Sequence, residues 1–151
     1  MPKPFRRFIL TLVAVVAIAA LGSTDDANYQ YALVQNTCAP WDGAAMQITL
    51  ANEPLQCQRE VHGAYLMLGV WRGVPLHAGQ VVKFSPNENN GFASRCKKAG
   101  ECQAAESGEI TFDTVVAGKS ATGRYELHFR DGTTMTGRFN AKWCQVRMMC
   151  G

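Results

Sequence analysis

Along much of the chain after residue 28, apolar and polar residues alternate with a period of two. Tyr29, Tyr31 and Leu33 share one parity, as do Met46, Ile48 and Leu50, then Ile110, Phe112 and Val116, then Tyr125, Leu127 and Phe129. Successive side chains of a strand point to opposite faces, so this period predicts strands with one face on a core and one face in water. The stretch Ala64 to Trp71 departs from it. Tyr65, Leu66, Met67, Leu68, Val70 and Trp71 put apolar groups on both faces, as in a central strand covered on two sides. Turn formers separate the runs: Trp41-Asp42-Gly43, the Ser85 to Gly91 stretch, Ala117-Gly118 and Asp131-Gly132. Short strands between regular turns predict an all-β fold, an antiparallel β-sandwich or small barrel of about seven or eight strands. At most one short helix is expected, from Pro54 to about His62 with Asn52 as its cap.

The C-terminal hairpin is the most sharply specified piece. Strands Ala121–Phe129 and Thr133–Trp143 flank Asp131-Gly132. A two-residue turn would set Leu127 opposite Thr136, placing an apolar side chain on the face of a polar one. A three-residue loop, Arg130-Asp131-Gly132, removes the conflict, with Gly132 in the left-handed position of a bulged turn. Leu127 then meets Met135, Tyr125 covers Gly137 and Phe139 covers Gly123, a stabilising use of aromatic rings over cross-strand glycines. The opposite face, with Arg124, Glu126 and His128 against Thr134, Thr136, Arg138, Asn140 and Lys142, is expected to be wet.

The run Gly123-Arg-Tyr-Glu-Leu-His-Phe-Arg-Asp-Gly132, followed by Gly137-Arg-Phe-Asn-Ala-Lys-Trp-Cys144, resembles hairpins of uncharacterised small exported β-domain proteins of Gram-negative bacteria. The resemblance implies an envelope or secreted β domain and brings with it no catalytic residue.

The N-terminus changes the reading of charge and compartment. Lys3, Arg6 and Arg7 precede an apolar run from Phe8 to Leu21 that only Thr11 interrupts, and Ala20-Leu21-Gly22 forms a small-residue exit. These are the parts of a secretory signal peptide, here residues 1–22 with cleavage before Ser23. The run is shorter than the ~20 apolar residues a spanning helix needs, and no cysteine follows it closely for lipid attachment. Removing 22 residues from 151 leaves a single β domain of 129 residues, 23–151, expected to be periplasmic or secreted and to meet membrane only through an uncleaved signal. Without Lys3, Arg6 and Arg7, the 15 Lys and Arg fall to 12 and equal the 12 Asp and Glu. A nucleic-acid partner needs a basic stripe. The one local cluster, Arg95, Lys97 and Lys98, reads as a solvated loop, so no nucleic acid is expected.

All six cysteines, Cys38, Cys57, Cys96, Cys102, Cys144 and Cys150, lie downstream of the leader. An even count in an exported chain predicts a disulfide framework that pins loops and chain ends. Six cysteines allow 15 pairings; closeness in sequence suggests Cys96–Cys102, Cys144–Cys150 and Cys38–Cys57. No close C-x-x-C spacing supports a metal site, and no cofactor is implied.

Catalytic motifs are absent: neither a G-x-S-x-G elbow nor an H-E-x-x-H pair occurs, and an even cysteine count leaves no free thiol for a Cys–His nucleophile. His128 falls on the wet face of the hairpin. The Asn87-Glu88-Asn89-Asn90-Gly91 loop has too few acids for calcium. The chain therefore reads as a non-enzymatic binding or inhibitory module acting on another exported or envelope protein, presenting loops from a stapled scaffold. Candidate contacts are Asn87 and Asn89 in the Ser85–Gly91 loop, Arg95, Lys97 and Lys98 in the Arg95–Gly108 segment, and the Tyr65, Met67 and Trp71 face around Gly69. Two alternatives stay open. One is a carrier of small lipophilic ligands, with Tyr65, Met67 and Trp71 lining an apolar cavity at a barrel mouth. The other is a hydrolase whose site gathers His62, His77 and Asp113.

Overall fold

Strand-forming residues on alternate positions extend the chain into nine strands: β1 (Thr24–Asp26), β2 (Tyr31–Cys38), β3 (Ala44–Ala51), β4 (Tyr65–Val70), β5 (Val81–Phe84), β6 (Gly91–Lys98), β7 (Glu101–Val116), β8 (Ser120–Phe129) and β9 (Thr134–Cys144). The computed structural model describes residues 24–26 and 28–150; the leader predicted at 1–22 lies outside them. Among the described residues there is no helix.

Strands β2, β3, β4, β6, β7, β8 and β9 pair in that order, and β9 returns to β2 to close a seven-stranded barrel. Closure removes the open edges that make isolated sheets prone to association. Six of the seven junctions are antiparallel. The seam is parallel, with Leu33, Val34 and Gln35 opposite Lys142, Trp143 and Cys144. β1 runs parallel to the start of β9, Thr24 opposite Thr134, and so extends the line of β2. β5 is the extra strand. It holds Gly108–Thr111 of the long β7, while β6 holds Glu101–Ala104, and residues 85–90 join the two. β7 carries two bulges, at 105–107 and 112–114, which let one strand bend round this much of the wall.

Alternation puts Ile48 and Leu50 of β3, Leu66 and Leu68 of β4, Ile110 and Phe112 of β7 and Leu127 of β8 inside, all with no exposed surface. Full burial of side chains of this size contributes roughly 1.5–3 kcal/mol each before entropy is counted. Phe112 and Phe139 meet edge to face with centroids 5.8 Å apart. The hairpin register is the one its polarity demands: Leu127 opposite Met135, Tyr125 opposite Gly137 and Gly123 opposite Phe139. The turn has three residues, closed by Phe129 N–H to the Thr133 carbonyl at 2.9 Å, with Gly132 at φ 81°. Arg124, Glu126, His128, Arg138, Asn140 and Lys142 are exposed on the outer face.

Four expectations are corrected. Residues 52–64 form an irregular loop, not a helix from Pro54 to His62: Glu53 accepts the backbone N–H groups of His62 at 3.0 Å and Gly63 at 2.8 Å and folds the segment back on itself. Its only half-buried apolar side chains are Leu55 and Val61, too few for a helical stripe. In β2 the inward parity is that of Ala32 and Val34, which lie opposite Leu50 and Ile48; Tyr31 and Leu33 face out. The Arg95–Gly108 segment is strand, the end of β6 and the first half of β7, with its turn confined to Ala99 and Gly100. The disulfides are Cys38–Cys150, Cys57–Cys144 and Cys96–Cys102. Only the last follows closeness in sequence, because barrel closure brings the chain's end back beside β2 and the 52–64 loop.

Candidate functional site

β4 builds the first part of the site. Leu66, Leu68 and Val70 point inward, so Tyr65, Met67 and Gly69 share the outer face of the wall, and Trp71 follows them. This face does not line the barrel interior, which Leu50, Leu66, Leu68, Ile110 and Phe112 fill. Tyr65 is half-buried with its hydroxyl 3.9 Å from Cys102 Sγ. Met67 is half-buried beneath the 52–64 loop. Tyr65 and Met67 border a cavity of about 320 Å³ between the sheet and that loop, whereas Trp71 reaches a separate surface groove.

That groove, about 660 Å³, runs along β6 where the chain leaves the wall at residues 85–90. Across β4 and β6, Gly69 lies opposite Phe92, and a Cβ at Gly69 would collide with the Phe92 ring. Phe92 therefore lies over Gly69 and meets Trp71 with centroids 5.2 Å apart. Trp71 in turn meets Trp41, of the β2–β3 turn, edge to face at 6.0 Å, and the Arg72 guanidinium stands 5.0 Å above the Trp41 ring. The rings thus make a strip from an exposed Trp41 into the groove. Phe84, Ala93 and Ala105 give the groove an apolar floor, and Ser94, Asn89 and the ion-paired Glu106 and Arg130 (2.9 Å) rim it. The 85–90 excursion is held in place: Ser85 and Glu88 bridge, Asn90 Nδ2 donates to the Lys83 carbonyl at 3.1 Å, and Arg72 Nε donates to the Asn89 carbonyl at 3.2 Å. Asn87 sits at its tip, its N–H donating to Ser85 Oγ at 3.3 Å.

The basic candidates lie elsewhere. Arg95 and Lys97 line a second cavity, about 740 Å³, at the end of the barrel where β6 turns into β7. Lys98 pairs with Glu101 at 2.8 Å. Arg95 is no solvated loop residue: it bonds Gln103 and Asp131 and stacks 4.1 Å above the Phe129 ring. Two hydrogen bonds from Thr133, reinforced by Arg95, hold the Asp131 carboxyl at about 2, well below its ordinary range. Beside them, burial raises the phenol of Tyr29, with Arg95 pulling the other way, and burial raises Tyr125.

The three residues of the hydrolytic alternative are not gathered. β4 separates His62, which precedes it, from His77, which follows it. His77 N–H donates to Gln80 Oε1 at 3.1 Å, and Asp113 pairs with Arg124 at 2.9 Å and Arg138 at 3.1 Å. Among the described residues no group of three or more His, Cys, Asp and Glu is placed to hold a metal ion.

Of the candidates named from sequence, Trp71 and Asn89 line this groove and Asn87 sits on the adjoining excursion, whereas Trp41, Phe92 and Phe84 are not among them. The readable signal was a tryptophan exposed in a turn, and a phenylalanine one strand away from an otherwise unexplained Gly69. Comparison with known proteins returned no match: no family model, no curated protein and no solved structure is similar to this chain.

Proposed function

We propose that the protein is an exported binding module, without catalytic activity of its own, that engages another exported or envelope protein through the groove along β6. The observation that supports this reading most is the strip Trp41–Trp71–Phe92, three linked rings that face outward instead of joining the core and lead into a groove rimmed by Asn89, Ser94, Glu106 and Arg130. Rigid tryptophans beside an arginine and amide groups are the residue types that dominate protein interfaces. The pinned 85–90 excursion supplies a preformed edge, which limits the entropy lost on docking. Three disulfides are compatible with an oxidising compartment.

Site-directed photo-crosslinking from position 89 in envelope extracts tests the reading. A discrete adduct is expected with the wild type and with Lys142→Ala, on the outer face of β9. Trp41→Ala and Trp71→Ala are expected to lose it, each weakening binding by about 2 kcal/mol or more. Adducts of equal intensity in all four proteins would show that the aromatic strip is not the contact surface.

A further inference from the structure

The mouth at the other end of β6 carries a feature that partner binding at the groove does not use. Arg95 lies opposite Leu66, and Leu66 lies opposite Leu50, both fully buried. Cross-strand partners share a face, so Arg95 occupies the inward row of the wall, where alternation calls for an apolar residue. Its side chain is 24% exposed and its guanidinium rests on Phe129, a core ring. A cation in that position loses hydration and needs acceptors to offset the loss. It has two. Gln103 Oε1 accepts from Nε at 2.9 Å and Nη2 at 2.6 Å, and Asp131 accepts a short bond from Nη2. All three bonds use the Nε and Nη2 side of the fork, and among the described residues Nη1 has no acceptor. Asp131 belongs to the exposed three-residue turn of the β8–β9 hairpin.

The surrounding cavity is mixed, with an apolar side beside the polar groups of Arg95, Gln103 and Asp131. Met135, Ala64, the Tyr29 ring and the Cys96–Cys102 disulfide line it with Lys97 at the rim, and its volume of about 740 Å³ suits a small molecule. The remaining acid of the rim, Glu101, is engaged by Lys98. We infer that this mouth binds a small amphipathic carboxylate, its head group on the Arg95 guanidinium and its apolar chain against Met135, Tyr29 and the disulfide. The Asp131 carboxylate occupies part of the place such a head group takes, so it competes with the ligand. A guanidinium presents its donors in a planar fork that matches a carboxylate, which is why an anion of this kind, not a neutral lipid, is the expected occupant. The site lies outside the Trp41–Trp71–Phe92 strip, and Gln103 borders both.

The test titrates octanoate, with 1-octanol as its uncharged counterpart, into the full disulfide-bonded protein by calorimetry and by chemical-shift mapping. Octanoate is expected to bind saturably at one site, moving the Met135 and Arg95 resonances, and octanol to bind at least about tenfold more weakly. Asp131→Asn, an exposed change that leaves the core intact, is expected to tighten octanoate binding about fivefold by removing the internal competitor. Lys97→Gln is expected to weaken octanoate and leave octanol alone. Arg95→Gln is expected to abolish the preference for octanoate, and near-ultraviolet circular dichroism checks its fold. Absence of saturable octanoate binding to both wild type and Asp131→Asn would overturn the inference. So would equal affinity for octanoate and octanol, or an Asp131→Asn affinity equal to or weaker than wild type. Trp71→Ala leaves these titrations unchanged, which separates failure of this site from failure of the groove.

Discussion

Gly123 and Phe139 show what one hydrogen atom in place of a methyl group does in this wall. A Cβ at Gly123 would sit 2.7 Å from Phe139 Cζ and closer still to the Thr111 backbone carbonyl, which has nowhere to go within a paired strand. Gly123→Ala is therefore expected to destabilise by about 1–3 kcal/mol as the ring and β7 are forced apart. Urea unfolding should show a lower midpoint at unchanged slope. Asp131 illustrates a charge effect at the same scale. Its carboxyl is held at about 2 in the folded protein against an unfolded value near 3.8. A lowered folded value means stability fully present above the unfolded value and lost as pH falls through the folded one. The difference in stability between wild type and Asp131→Asn should accordingly be flat from neutral pH to about 5 and shrink between about 4 and 2. A difference that stays constant through that window would assign it to packing instead of charge.

At the scale of the element, the two-residue period was enough to read β3, β8, β9 and the hairpin between them, because there polarity, turn chemistry and glycine placement agree. It failed where one of these was missing. β2 has apolar residues on both parities, and the tie was decided by the 52–64 loop, which covers the outer side of Leu33 and so makes an outward apolar residue acceptable. The expected helix rested on Asn52 and Pro54 alone. The competing acceptor was Glu53, whose carboxylate takes backbone donors that a helix would have needed. Arg95 was misread for the opposite reason: its charge suggested a loop, whereas its parity belonged to a strand. The groove was half legible, through Trp71 and the asparagines. Phe92 was not, since which strand lies beside β4 depends on β5 being set aside. The loop also offers a test at this scale. Cys57–Cys144 spans 87 residues and Cys96–Cys102 only 6. In the chain-entropy picture a bridge over about 100 residues contributes roughly 4–5 kcal/mol and one over about 15 residues roughly 3. Replacing both members of the first pair by alanine should lower the melting temperature more than the same change at the second. It should also open residues 52–64 to proteolysis, while the second leaves that loop protected.

Across the whole molecule, closure of the barrel rests on the parallel seam between β2 and β9, and two of the three disulfides reinforce that side: Cys38–Cys150 ties the end of β2 to the end of the chain, and Cys57–Cys144 ties the loop after β3 to the end of β9. Both bridges join an early cysteine to a late one, which has a consequence for biogenesis. A chain emerging from its N-terminus presents Cys38 and Cys57 together before Cys144 or Cys150 exists, and these two are neighbours enough to oxidise with each other. The first bridge available is thus a wrong one, and only exchange can undo it. The expected outcome is that refolding of the reduced chain gives more of the natively bridged form with a thiol–disulfide isomerase or a redox couple than with an oxidant alone, as peptide mapping of the bridges would show.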